Sequence, residues 1–372
     1  MQKVISFAKL LVGNFLVLLL LTFFTNVMLG FYLKSTKVSR ADLPNYDNGR
    51  EFAPKIFYDY SRVGHEYTPF MGWKTLPYSG ETLTIGNDGF RKVANKPSIK
   101  SERLKVGFFG GSTLWGEGAS DDGTIPSQFA KFNPQYEVYN YGQLAFNSRQ
   151  NLAVLTNLYS SGKKLDIIIF YDGVNDAAFL CPDGVSVPGH RMEPVFKERL
   201  YSDNKYLINK ALYKYLVQNI INFTNRVRVK QLGQEMKSEY LCYKNEEKIA
   251  QIAQGMLNNW GLAAQMAASN GGEFIGVLQP MAFIGTPKIN HLEKLDQELG
   301  KSMVMVYNQI FARMDSSYTP QILNLVDAFN KNEYIYIDFC HVSSNGNKII
   351  AEKLTDFINQ VQVNSKDSVS VN

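Results

Sequence analysis

The sequence is poor in the residues that build metal and redox sites. Among 372 residues there are three cysteines and four histidines. Cys181, Cys242 and Cys340 form no C-x-x-C pair, so a zinc site built on them is not expected. No H-E-x-x-H, Walker A or G-x-G-x-x-G fingerprint occurs, and the residues signal neither a metal nor a cofactor. Charge of one sign is also lacking: 39 basic against 34 acidic residues leave a net charge of +5. So small an excess does not argue for nucleic acid as a partner. The mean hydropathy is slightly negative, which excludes a polytopic membrane protein. An odd cysteine count outside the cytoplasm allows one disulfide and one free thiol.

One long apolar run is present. Residues 10–32 lie between Lys9 and Lys34 and carry no charge, with Asn14 and Asn26 as the main polar interruptions. The run is long enough to span a hydrocarbon core and exceeds the apolar region of a signal peptide. No A-x-A-like cleavage site follows it. Residues 1–34 are therefore read as an uncleaved signal anchor, a cleaved signal peptide being the alternative. Flanking charge does not set the orientation. By analogy with bacterial signal anchors, the large domain is placed on the periplasmic, extracytoplasmic side. Residues 35–55, polar and with Pro44 and Pro54, read as a linker. Residues 56–100 read as a small β extension, on the alternation of Thr82-Leu83-Thr84-Ile85 and the turn Gly86-Asn87-Asp88-Gly89.

From residue 104 strand and helix patterns alternate. Strands are expected at 104–109, 136–141, 165–171, 273–278 and, more weakly, 334–337. Helices are expected at 125–132, 148–160, 248–269, 291–314 and 343–360. Ile167-Ile168-Ile169-Phe170 is an unbroken apolar run, as a strand buried on both faces requires. The alternation predicts an α/β fold: a parallel sheet between helical layers, with chemistry at the carboxyl ends of its strands. Those ends carry Gly110-Gly111-Ser112, then Asn140-Tyr141-Gly142, then Gly173-Val174-Asn175-Asp176, and last Asp338-Phe339-Cys340-His341. Taken alone, Ser112 reads equally well as a helix cap, Asn175 as an Asx turn and Gly142 as a turn glycine. Four such strand ends in one chain are far more specific than any one of them.

These blocks resemble the SGNH (GDSL-type) hydrolases, over about residues 104 to 360. The first block usually reads Gly-Asp-Ser, and here it is Gly-Gly-Ser. The resemblance implies a three-layer αβα, flavodoxin-like fold over residues 101–362. It also implies a serine esterase in which Ser112 attacks, His341 carries the proton and Asp338 orients the imidazole. The backbone N–H groups of Ser112 and Gly142 and the side-chain amide of Asn175 would hold the oxyanion. The residues agree with such chemistry. A serine hydroxyl needs an adjacent base, and His341 alone of the four histidines has an acid three residues earlier. The order Ser…Asp-x-x-His and the missing G-x-S-x-G elbow argue against an α/β-hydrolase. Asp176 is assigned to structure, as a cap for the following segment, and His65, His190 and His291 to satisfied or solvated surface positions.

The implied partners are an acyl-ester substrate, probed first as an acetylated glycan or a lipid of the envelope, and the membrane through the N-terminal helix. An O-acyltransferase using the same residues, or a silent envelope scaffold, are the alternatives. Residues 177–245 form an insertion. Within it, 206–229 reads as an amphipathic helix that covers the sheet, a lid or a bilayer-resting face being the other reading. Cys340 is expected to bond Cys181 or Cys242 and lock the histidine loop. Residues 363–372 are expected to be a disordered tail.

Overall fold

The computed structural model describes residues 2–35, 39–94, 103–201, 204–232, 241–293, 295–314 and 321–369. The chain divides into two compact units, residues 40–191 with 239–372 and residues 1–39 with 192–238.

The larger unit is built on one five-stranded parallel sheet. Its strands are β5 (Leu104–Gly110), β6 (Tyr136–Asn140), β7 (Ile167–Asp172), β8 (Glu273–Leu278) and β9 (Gln321–Asn324), in the order β6-β5-β7-β8-β9. All four pairings are parallel. Renumbered from β5, this is the 2-1-3-4-5 order of flavodoxin-like sheets. Helices α4 (Ile125–Phe132) and α12 (Ser344–Val369) pack together on one face; α5 (Ser148–Ser160) and α10 (Glu246–Ser269) cover the other. Helix α11 (Gln297–Met314) packs on α10 and on the short α6 (Val174–Leu180). The expected three-layer αβα fold is therefore observed.

Local chemistry explains the helix starts. Thr124 caps α4 by accepting from Ser127 N–H, and Asn147 and Gln150 form a reciprocal capping box at the start of α5. Burial explains the strands: every residue of β7 is buried. On the α4/α12 side, Phe108, Phe129, Ile350 and Leu354 share one core with Ile169 and Val277.

Three expectations change. The fifth strand is Gln321–Asn324, not 334–337. Of that expected strand only an isolated antiparallel bridge, Tyr336 to Val342, is seen. Ile337 N–H donates to His341 C=O, so the segment folds on itself as an arch and does not join the sheet. Residues 35–55 are not a linker where they are described. Two 3-10 turns, Arg40–Asp42 and Pro44–Gly49, bury Ala41, Leu43 and Tyr46, and Asn45 donates to the carbonyls of Tyr334 and Tyr336. The β extension begins with a helix, α2 (Ala53–Arg62). Two small antiparallel pairs follow: β1 (His65–Thr68) with β2 (Gly72–Thr75), and β3 (Tyr78–Ser79) with β4 (Thr84–Ile85). Asp59 of α2 ties these pieces together by accepting from Tyr78 Oη–H and from Thr82 N–H and Oγ1–H. Residues 95–100 of the expected extension lie outside the described residues. Of the expected tail, residues 363–369 continue α12, and 370–372 lie outside the described residues.

The smaller unit joins the N-terminal helix α1 (Gln2–Ser35) to the insertion, which forms α7 (Glu193–Tyr201), α8 (Asn204–Leu212), a π-turn (Tyr213–Val217) and α9 (Gln218–Leu232). Helix α1 is long and apolar enough to cross a membrane. A π-turn interrupts the regular hydrogen-bond ladder, and side chains can insert there. Asn26 does so: its amide donates to the carbonyls of Lys214 and Tyr215, and its oxygen accepts from Asn219 N–H. Asn219 answers by donating to Asn26 C=O. The insertion's helical segment thus pairs with α1.

Candidate active site

The serine turn follows directly from β5. The strand runs out at Gly110, Gly111 takes the N-cap position, and Ser112 opens a single helical turn, α3 (Ser112–Trp115). Gly111 is required by close approach. A Cβ there would lie 2.1 Å from Asn175 Nδ2 and 3.0 Å from Phe146 O. The replacement of the usual aspartate thus leaves room for the Asn175 amide.

In a 2-1-3-4-5 sheet the connections diverge between the first and third strands, and that crevice is where ligands bind. Here these are β5 and β7. Ser112 follows β5 and Asn175 lies in the first turn of α6, just after β7. The arch supplies the rest. His341 Nε2 is 2.7 Å from Ser112 Oγ, and His341 Nδ1 is 2.8 Å from Asp338 Oδ2. Asp338 Oδ1 accepts from the backbone N–H groups of Cys340 and His341 at 2.9 and 2.8 Å. His291 steadies the arch by donating from Nε2 to Tyr336 C=O. Ser112, His341 and Asp338, expected together, are brought together in the order hydroxyl, imidazole, carboxylate.

The electrostatics follow from that order. Burial alone would raise the Asp338 pKa; the His341 charge and three hydrogen bonds outweigh it and hold the carboxyl well below its ordinary range. Burial alone would lower the His341 pKa; Asp338 first, with Glu117 beside it, outweighs it and holds the ring well above its ordinary value. Glu117 is a residue that the sequence patterns did not flag. It lies in the loop after α3, is buried, and places Oε2 3.3 Å from His341 Nε2.

The two expected side donors differ. Asn175 Nδ2 donates one hydrogen to Phe146 C=O at 2.7 Å. Its second hydrogen remains beside Gly111 and the serine turn. Gly142 N–H is engaged by Asn140 Oδ1 at 3.0 Å. A Cβ at 142 would meet Trp115 N at 2.9 Å, so the glycine lets this loop lie against α3. That arrangement serves the turn, and an oxyanion would have to share this N–H with Asn140. Three residues on, Ala145 holds a left-handed φ of 62°, an uncommon conformation for a residue with a Cβ. Its carbonyl accepts from His190 Nε2, whose ring is buried and whose pKa burial pushes down to about 4. His190 is thus a buried, neutral support for the loop.

Asp176 is structural, but it caps the start of α5 and not the segment after it. It accepts from Ser148 N–H and Oγ–H. Cys340 corrects another expectation: it is a buried free thiol, and Cys181 is bonded to Cys242. The Cys340 sulfur faces the His341 ring, 3.5 Å from Nδ1. Cys181 at the end of α6 and Cys242 in the 3-10 turn before α10 have their Cα atoms 5.1 Å apart. Asp338, Cys340 and His341 could in principle hold a metal ion. The carboxylate and the imidazole, however, already spend their lone pairs and protons on each other and on Ser112.

No family model matches the chain, and no curated protein matches it. Among solved structures it is similar to a member of the lipolytic protein G-D-S-L family from Veillonella parvula DSM 2008. That likeness has 10% identity and a TM-score of 0.39 and covers 68% of this chain and 97% of that one. It is also similar to a GDSL-like lipase from Bacteroides thetaiotaomicron VPI-5482, with 14% identity and a TM-score of 0.37, over 72% of this chain and 92% of that one. An acetyl xylan esterase shares 13% identity at a TM-score of 0.36, over 68% of this chain and all of the other. Likenesses this distant do not bear on the chemistry, which stands on the site's geometry.

Proposed function

We propose that this chain is a serine esterase that hydrolyses acyl esters, probed first as O-acetyl esters of glycans or lipids. The observation that carries the reading is the continuous relay from Ser112 Oγ through His341 to Asp338, at 2.7 and 2.8 Å, at the carboxyl edge of the sheet. His341 Nε2 takes the hydroxyl proton as Ser112 Oγ bonds to the ester carbonyl carbon. Asp338 keeps the other ring nitrogen protonated and stabilises the imidazolium. The oxyanion is held by Ser112 N–H and the free hydrogen of Asn175 Nδ2; Gly142 N–H can join only by sharing its bond to Asn140. The tetrahedral adduct collapses, the C–O bond to the alcohol breaks, and Nε2–H protonates the leaving oxygen. Water, deprotonated by His341, then releases the acid and restores Ser112. Every step uses groups of this chain and water.

The location reading has two supports. Helix α1 has the length and composition of a membrane span, with Leu10, Leu11, Phe15, Leu16, Leu18 and Leu21 exposed. The Cys181–Cys242 disulfide suits an oxidising compartment. We place the catalytic unit on the extracytoplasmic side of a single-pass anchor.

The test is hydrolysis of p-nitrophenyl acetate by the full-length protein in detergent, beside Ser112→Ala. Loss of roughly 10⁴-fold or more in kcat is expected. Equal rates for the two proteins refute the assignment of the nucleophile.

A further inference from the structure

Two carboxylates face the His341 ring, one at each nitrogen. Asp338 takes Nδ1, and Glu117 Oε2 stands 3.3 Å from Nε2, the nitrogen that also holds Ser112 Oγ. The other oxygen of Glu117 accepts from Arg40 Nη1 at 2.7 Å, and the same nitrogen reaches Asp338 Oδ2 at 3.3 Å. The Arg40 guanidinium is held over the Phe57 ring at 4.9 Å and near the Tyr60 ring at 5.9 Å. The Glu117 charge, after burial, helps to raise the Tyr60 phenol. One cation, carried by the first turn of the larger unit, therefore ties the carboxylates on both sides of the catalytic imidazole.

We propose that Arg40 and Glu117 form a charge clamp that sets the proton affinity of His341, and with it the pH range in which Ser112 can be activated. Both are positioning residues that act through His341, and the proposal rests on the serine-esterase reading. A carboxylate beside Nε2 favours the imidazolium. That helps the tetrahedral adduct, where Nε2 carries the serine proton. It hinders the resting enzyme, because a doubly protonated ring cannot accept that proton. Arg40 acts with the opposite sign. Its charge sits on the far side of both carboxylates and weakens their pull on the ring.

The groups that face His341 come from every element around it. They are Ser112 from α3, Glu117 from the following loop, Tyr60 from α2, Arg40 from the first turn, and Asp338 and Cys340 from the arch. Tyr60 and Cys340 stay neutral near pH 7, since burial raises the phenol and pushes the thiol up to about 11. Among the described residues this leaves Asp338, Glu117 and Arg40 as the charges that decide the balance. Asp338 is fixed by its triad role, so the adjustable pair is Glu117 and Arg40.

The test is the pH dependence of kcat/KM for p-nitrophenyl acetate, measured on the full-length protein in detergent. The p-nitrophenolate leaves without needing a proton, so the acid limb reports the free-enzyme pKa of His341 as base. Glu117→Gln keeps the shape and removes the charge. Its acid limb is expected to move down by about one pH unit, the low end of what an opposite charge at this range does. Arg40→Met should move the limb up by a similar amount, and Arg40→Lys should return it to the wild-type position. A merely structural role would lower rates without moving the limb. If Glu117→Gln does not fold, the Arg40 pair decides alone: an upward shift in Arg40→Met reversed in Arg40→Lys supports the clamp, and no shift overturns it. Unmoved limbs in a protein that Ser112→Ala silences overturn the clamp and leave the esterase reading intact. Wild-type activity in Ser112→Ala removes that reading, and the clamp falls with it.

Discussion

Arg91→Met tests how the loop behind the nucleophile is held. The Arg91 side chain is fully buried, with its guanidinium carbon 4.7 Å from the Trp115 ring. Four donated hydrogen bonds leave it: Nε to Asp121 Oδ1 at 2.9 Å, Nη1 to the carbonyls of Trp115 at 3.2 Å and Gly116 at 2.7 Å, and Nη2 to the Ala119 carbonyl at 2.7 Å. These carbonyls belong to the turn that carries Glu117. Methionine keeps most of the volume and leaves all four acceptors without this donor. Asp121 is partly exposed and can turn to water. The three carbonyls lie among buried residues and cannot; Gly116 keeps Ala119 N–H at 3.1 Å and Trp115 keeps Asn140 Nδ2 at 3.5 Å, and each loses its bond to the charged donor. At ~1.5 kcal/mol for each bond lost between the charged guanidinium and a buried carbonyl, the loss comes to about 4 kcal/mol, in line with the cost of breaking a buried charged pair. With a urea m-value of ~3 kcal/mol/M, the midpoint should fall by about 1 M. The assay is urea unfolding in detergent, followed by tryptophan fluorescence; Trp73, Trp115 and Trp260 are all buried and report on the same unit. Arg91→Lys should recover part of the loss, because an ammonium reaches fewer of these acceptors than a planar fork does. A loss below about 1 kcal/mol in Arg91→Met would refute the view that this guanidinium holds the loop.

Asp338→Asn should lower kcat roughly 10⁴-fold with little change in the melting temperature, because the amide cannot fix the imidazole in the tautomer that accepts from Ser112; steady-state kinetics with thermal melting checks both. Replacing Cys181 and Cys242 by serine should cost about 4 kcal/mol by loop-closure entropy over a separation of 61 residues. In the denatured, unreduced wild type, alkylation should label Cys340 alone, as read by mass spectrometry. Burial pushes the Asp176 carboxyl up to about 6, only partly offset by the hydrogen bonds from Ser148. A carboxyl raised on folding binds more protons folded than unfolded, so stability should fall as pH rises from about 4 to about 6. The slope of the urea midpoint over that window should flatten in Asp176→Asn.

Much of the larger unit was legible in the sequence because its signals are local and strong. The β-branched run at 167–170 could only be a strand buried on both faces. The expected helix bounds at 125–132 and 148–160 match α4 and α5, whose starts are fixed by caps from Thr124 and Asn147. The convergence of Ser112, His341 and Asp338 was legible because their blocks stand at chain breaks after apolar runs. The rest needed three dimensions. Strand β9 is four residues long with no alternation to mark it, and the more apolar 334–337 drew the assignment. Arg40 sits in a polar stretch with two prolines, and nothing in its neighbours says that it reaches a carboxylate 77 residues away. Glu117 is one acid among many until the turn after α3 aims it at the ring. The cysteine pairing misled because Cys340 lies inside the histidine block, and closeness in sequence to a site says nothing of Cβ geometry. Asn26 read as an interruption of an apolar helix; its role appears only with the carbonyls that the π-turn frees.

The Cys181–Cys242 bond has a topological consequence. Both cysteines belong to the larger unit, one on each side of the chain's excursion into the insertion. Everything from residue 182 to residue 241 is therefore a loop whose two ends are already fastened together. A single cut in that stretch does not divide the protein: Ser112 on one fragment and His341 on the other stay in one covalent molecule. The insertion can be nicked, shortened or exchanged while the ends that enter and leave it stay joined, and only a reductant turns the nick into two chains.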